Sequence, residues 1–178
     1  MRPYQWVPLC VLALTACAPS DNTLFELGRN QQIQNDAPVK ASSDMLIHAP
    51  VDRVWSLLAD AQNWPRWQHD VTQVSIEGPL RQDVSFAWQA GDASIHSHVV
   101  LFMPDKALAW TGSASIAKAL HVWTLTSVGP DTTRVVCRES MDGFLLARFY
   151  SSAELQTSID HWMNNLKVAA ESNAAISL

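Results

Sequence analysis

Between residues 71 and 143 the apolar pattern keeps a period of two through six successive runs, and one long helical stripe follows. The runs are VTQVSIEG, DVSFAWQAG, ASIHSHVVLFMP, KALAWTGSAS, KALHVWTLTSV and TTRVVCRESMDG. Turn chemistry separates them at Gly78-Pro79, Gly91-Asp92, Pro104-Asp105, residues 112–115 and Gly129-Pro130-Asp131. Connections this short join antiparallel neighbours, because a parallel crossover needs a dozen residues or more. Beyond them, Ser151 and Glu154 have the spacing of a capping box. Leu155, Ile159, Trp162, Leu166 and Ala169 then step by four, three, four and three along one face of a helix. A sheet with one apolar face and a single helix with one apolar stripe can each be buried only against the other.

Upstream, Met45-Leu46-Ile47 ends a first extended segment. After Pro50, residues Val51, Val54, Trp55 and Leu58 fall at i, i+3, i+4 and i+7, a short amphipathic helix with Asp52 at its positive end. Asn63 caps a second short turn carrying Trp64 and Trp67, three apart and so on one side. These tryptophans should fasten the helical pair to the sheet edge and the C-terminal helix, with Trp67 the deeper.

The N-terminus has a different character. Residues 1–16 carry one basic residue, Arg2, before an apolar stretch at 7–16 that is too short to span a bilayer as a stable helix. The segment ends in Leu14-Thr15-Ala16-Cys17, which resembles a bacterial lipobox. That resemblance implies a signal peptide over 1–16, cleavage before Cys17 and lipidation of its thiol. Ala18 in the next position implies an outer-membrane protein facing the periplasm. Residues 17–37 are polar and read as a tether, 38–173 as one domain and 174–178 as a tail. With Cys10 removed and Cys17 acylated, Cys137 is the one thiol left, so the domain has no internal disulfide. The formal charge is −5 without a basic cluster, which argues against nucleic acid as a partner. The expected state is a monomer.

Strand polarity indicates which side chains face inward. Asp83, Ser85 and Gln89 send Val84, Phe86 and Trp88 inside; Arg134 and Arg138 leave Thr133, Val135, Cys137 and Glu139 inside. His121, Trp123 and Leu125 form the inward set of their run, joined by Leu108 and Trp110. A five-residue connection over 128–132 then sets Leu125 opposite Val135, Trp123 opposite Cys137 and His121 opposite Glu139. An inward imidazole beside a carboxylate is the one acid/base pair the sequence offers. It is either a general base with its orienting partner or a buried polar pair that satisfies itself and orients a ligand. His96 and His98 share a face, but no third ligand completes a metal site, so no metal is expected. Cys137 is a nucleophile only if His121 reaches it; otherwise it is a small core residue.

The order strand, two short helices, six strands and long helix resembles the SRPBCC or START-like superfamily, in particular its polyketide cyclase/dehydrase and lipid transport branch. The stretches that carry the resemblance are IHAPVDRVWSLLADAQNWPRWQHDV, the FAW and LAWTG strands, HVWTL, TTRVVCRESMDG and the closing LKVAAE. It implies an α+β helix-grip fold, a curved antiparallel sheet of about seven strands around the C-terminal helix. It also implies a cavity between the two, for which the inward set supplies Phe86, Trp88, Leu108, Trp110, His121, Trp123, Leu125, Val135, Cys137 and Glu139, and the helix Ile159, Trp162 and Leu166. No cofactor is expected. The partner implied is a small hydrophobic or amphipathic ligand, with the membrane reached through the lipid anchor. Two alternatives stand beside that reading: a cyclase or dehydratase working through His121 and Glu139, and a non-catalytic domain whose tryptophans fill the cavity.

Overall fold

The period-two runs place Val, Ile, Thr, Phe and Trp on a pleated surface, where such side chains pack well. The structure, a computed structural model, describes residues 19–115 and 117–172. Its order is α1 (Asp21–Arg29), β1 (Val39–Ile47), α2 (Val51–Ala59), a 3-10 helix (Ala61–Arg66), β2 (Val71–Ile76), β3 (Ser85–Ala90), β4 (Ala93–Met103), β5 (Ala107–Ala114), β6 (Ala117–Gly129), β7 (Thr132–Gly143), α3 (Leu146–Phe149) and α4 (Ser152–Glu171). The strands form one sheet in the order β1-β7-β6-β5-β4-β3-β2. Every pairing is antiparallel. The sheet grips α4, and the fold is the helix-grip.

The register follows the short β6–β7 connection: Leu125 pairs with Val135, Trp123 with Cys137 and His121 with Glu139. α4 starts on the expected capping box, in which the Ser151 hydroxyl accepts from Glu154 N–H and the Glu154 carboxylate accepts from Ser151 N–H. The helix also closes the sheet's open edge. Along β1 and just past its end, the N–H groups of Lys40, Ser42 and His48 donate to Ser152 Oγ, Gln156 Oε1 and Glu171 Oε1 of α4. Backbone donors that an edge strand would leave unpaired are thus consumed by side chains.

The main core lies between the inner face and α4, with Val54, Leu58 and Trp64 of the short helices among its members. Trp64 has no exposed surface, while Trp67 keeps 7%. The expected order of depth is therefore reversed. The cause is local: Trp64 turns its ring into the sheet and donates Nε1–H to Leu58 O at 3.0 Å, and Trp67 packs edge-to-face against Trp162 alone among the described rings. Gln68 ties this segment to α4 by accepting from Asn165 Nδ2 at 2.7 Å. Asn63 does not cap the second turn. Asp60 precedes that turn, and Asn63 Nδ2 donates to its carboxylate.

The stretch expected to be a tether is, over residues 21–29, the helix α1. Ser20 caps it by accepting from Thr23 N–H, and it packs on the outer face of the sheet in a second, smaller core with Val100, Ala109, Leu120 and Val122. A methyl group on Gly28 would come within 2.4 Å of Val100 Cγ2, so the helix lies this close only because that position is glycine. Nine residues with two buried positions leave too short a stripe to be legible as a period. The signal peptide, Cys17 and the residues 174–178 lie outside the described residues.

Candidate functional site

The interior along α4 has two halves of different character. In one, Trp64 is the hub: its ring centroid is 5.7 Å from Phe86, 5.9 Å from Trp88, 5.6 Å from Trp110 and 5.2 Å from Trp162. Most of these are edge-to-face contacts, the arrangement the ring quadrupoles favour. In the other half the rings stop and a cavity of about 660 Å³ opens.

The cavity exists because inward side chains shrink along the strands toward one end. On β5 the inward sequence is Leu108, Trp110, Gly112, Ala114, and on β6, read from its start, Ala117, Ala119, His121, Trp123. Ala90 and Ala93 end β3 and begin β4 in the same way. Residues 112–115 were expected as a turn, since glycine and small residues mark turns. β5 instead continues through Ala114, and the small side chains supply space rather than a bend. Gly112 sits beside the imidazole: a Cβ there would lie 3.6 Å from His121 Nε2 and 3.3 Å from Ile95 Cγ2.

Of the expected lining residues, Trp88, Trp110, His121, Trp123, Cys137, Glu139, Ile159 and Trp162 do line this cavity. Phe86, Leu108, Leu125, Val135 and Leu166 do not. They face the same way but sit toward the packed end and belong to the solid core. Sequence reasoning missed the small residues that make the room, together with Met141, Leu155, Ser158 and the α3 segment with Leu146, Phe149 and Tyr150. The alternation of small residues on the inward parity was a usable signal; Tyr150, in a linker, carried none.

One polar cluster interrupts this apolar wall. His121 Nδ1 stands 3.0 Å from Glu139 Oε2, and both side chains are about nine-tenths buried. The imidazole stacks on Trp110 with centroids 5.0 Å apart and planes at 18°. The carboxylate accepts from Nδ1–H, and Nε2 faces the space beside Gly112. Tyr150 is held above the ordinary phenol range, first by burial and then by the Glu139 charge. Burial pushes the Cys137 thiol well above its usual value, and Glu139 adds to the shift. Cys137 therefore stays protonated and is a cavity wall rather than a nucleophile.

His96 and His98 lie on the outer-face side, where His98 stacks on Phe25 of α1 at 5.1 Å and its Nδ1 is 3.0 Å from Ser85 Oγ. Among the described residues no group of three or more His, Cys, Asp or Glu side chains is placed to hold a metal ion.

Known proteins share this architecture. A START superfamily protein from Mycobacterium smegmatis superposes with a TM-score of 0.63 at 13% identity, over 74% of this chain and 97% of its own. A hypothetical protein from Helicobacter pylori gives 0.69 at 17% identity, over 77% and 90%. An aromatase/cyclase from a Streptomyces species gives 0.54 at 17%, over 73% and 87%. At such identities the likeness is one of fold. No curated protein matches the sequence. The sequence pattern of the family described as polyketide cyclase / dehydrase and lipid transport matches residues 38–171, three-quarters of the chain, and with the helix-grip fold around the same span, the chain belongs to that family.

Proposed function

We propose that the domain binds one small hydrophobic or amphipathic molecule in the cavity between the sheet and α4. The observation that carries this reading is the cavity itself. Its volume of about 660 Å³ falls within the range of roughly 300–1,000 Å³ typical of small-molecule sites. Apolar burial supplies affinity at about 25 cal/mol per Å², and His121 with Glu139 orients a polar end. The room beside Gly112 and Ala119 speaks against an interior filled by the protein's own tryptophans. The lipobox adds an envelope setting to this reading, with the domain held at the outer membrane through Cys17.

A second reading, a cyclase or dehydratase, has one observation in its favour: His121 presents a ring whose Nδ1 is occupied by a carboxylate, the arrangement of a general base with its orienting partner. Native mass spectrometry of the protein after mild detergent extraction tests the binding proposal. A co-purifying apolar species supports it, and a protein that is empty and takes up no apolar fluorescent probe overturns it. His121→Ala then separates carrier from enzyme: affinity shifts in a carrier, whereas turnover of a bound substrate collapses in an enzyme.

A further inference from the structure

Most exposed large apolar side chains of the described residues stand alone, as Leu46, Val128 and Val168 do. Three do not. Phe144 is 80% exposed, Leu145 54% and Phe149 71%, all within the eight-residue segment that joins β7 to α4. Phe149 lines the cavity while keeping most of its surface in solvent, so it stands at the cavity mouth, with exposed Phe144 and Leu145 close by in the chain. Leu145 also takes a left-handed backbone, φ +60°. A β-region or right-handed conformation would be favoured by roughly 1–2 kcal/mol for a side-chain-bearing residue. Solvent exposure of an apolar side chain and an unfavourable backbone thus fall on one residue. Backbone strain and clustered apolar exposure of this kind concentrate at functional surfaces.

The start of α1 lies at the same end of the molecule. Gly143 ends β7 opposite Ala117, and next to that pair Lys118 Nζ lies 2.6 Å from Asp21 Oδ1, the first residue of α1. α1 therefore begins at the β5–β6 tip that rims the mouth. Cys17 precedes Asp21 by four residues, which span at most about 14 Å fully extended. In the envelope setting proposed above, an anchor on Cys17 holds the start of α1, not the opposite β6–β7 tip at Val128, close to the bilayer.

We infer that the cavity mouth docks on a lipid bilayer, with Phe144, Leu145 and Phe149 seated among the acyl chains and the exposed Arg148 between them at the level of the phosphates. Ligand then passes between bilayer and cavity without crossing water. As a route of exchange this rests on the binding reading above; the docking itself is tested without any ligand.

The test places the photo-crosslinking analogue p-benzoylphenylalanine at Phe144, at Phe149 and, as control, at Val128 in the full chain, incorporated into vesicles of phosphatidylethanolamine and phosphatidylglycerol. Mass spectrometry after irradiation reads the adducts. Phospholipid adducts at Phe144 and Phe149 should exceed those at Val128 on the order of tenfold. Equal adducts at Val128, crosslinks to a second copy of the chain, or no lipid adduct at any position would each overturn the proposal. Because these residues are exposed, Phe144→Ser with Phe149→Ser should leave the melting temperature unchanged, while the analogue placed at Leu145 gives lipid adducts in the parent and loses them in that variant. An empty cavity in native mass spectrometry beside strong lipid adducts would remove the binding reading and leave the docking intact.

Discussion

His121 Nδ1 stands 3.0 Å from Glu139 Oε2 across the β6–β7 ladder, and both side chains line the cavity. The pair is asymmetric in what its loss leaves behind. His121→Ala strands a buried carboxylate and should lower stability by about 1–3 kcal/mol. Glu139→Gln keeps an acceptor for Nδ1–H and should cost less than about 1 kcal/mol. Urea unfolding of both variants checks the order; a larger loss in the glutamine variant would contradict the assigned roles.

The graded inward side chains separate room from core. Ala119→Phe places a ring in the cavity and should weaken apolar-probe binding on the order of tenfold, with stability changed by less than about 1.5 kcal/mol. Leu108→Ala, on the same face of the sheet but at the packed end, should do the opposite. It should cost about 2–5 kcal/mol of stability while probe affinity stays within a factor of about two.

Trp64 touches four other aromatic rings and is fully buried, whereas Trp67 touches Trp162 and keeps a small exposed edge. Trp64→Ala should therefore cost about 3–5 kcal/mol, the range for a large aromatic deleted from a core. Trp67→Ala should cost distinctly less. Thermal unfolding with denaturant titration distinguishes the two.

Three carboxylates hold pKa values below the ordinary range: Glu154 through the Ser151 hydroxyl and N–H, Glu171 through Lys167 and then the His48 N–H, and Asp44 through Arg134. A carboxyl group depressed in the folded state binds protons more readily when unfolded. Its contribution is present above the unfolded value of about 4 and is lost as pH falls through the lower folded value. Stability should thus decline below about pH 4. Glu171→Gln should be less stable than the parent at pH 7, and the two should converge near pH 2 in acid-unfolding curves followed by circular dichroism.

The elements and the main register were legible because they rest on local rules. A period of two, interrupted by Gly, Pro and Asp turns, dictates strands and their faces, and the length of the β6–β7 connection dictates which residues oppose each other. That is why the sequence alone sets His121 against Glu139. α1 was not legible, since its two buried positions become apolar contacts only when Val100 and Leu120 are brought beneath it.

The sequence by itself determined which side chains face inward; tertiary structure decided which of those face a void. Leu108 and Gly112 share a face of one strand, yet one is core and the other borders the cavity. Whether a position is filled depends on the summed reach of side chains from neighbouring strands and from α4, a quantity no single strand encodes. The same holds for Tyr150, which a linker delivers to the Glu139 charge, and for Phe149, an exposed ring that borders the cavity.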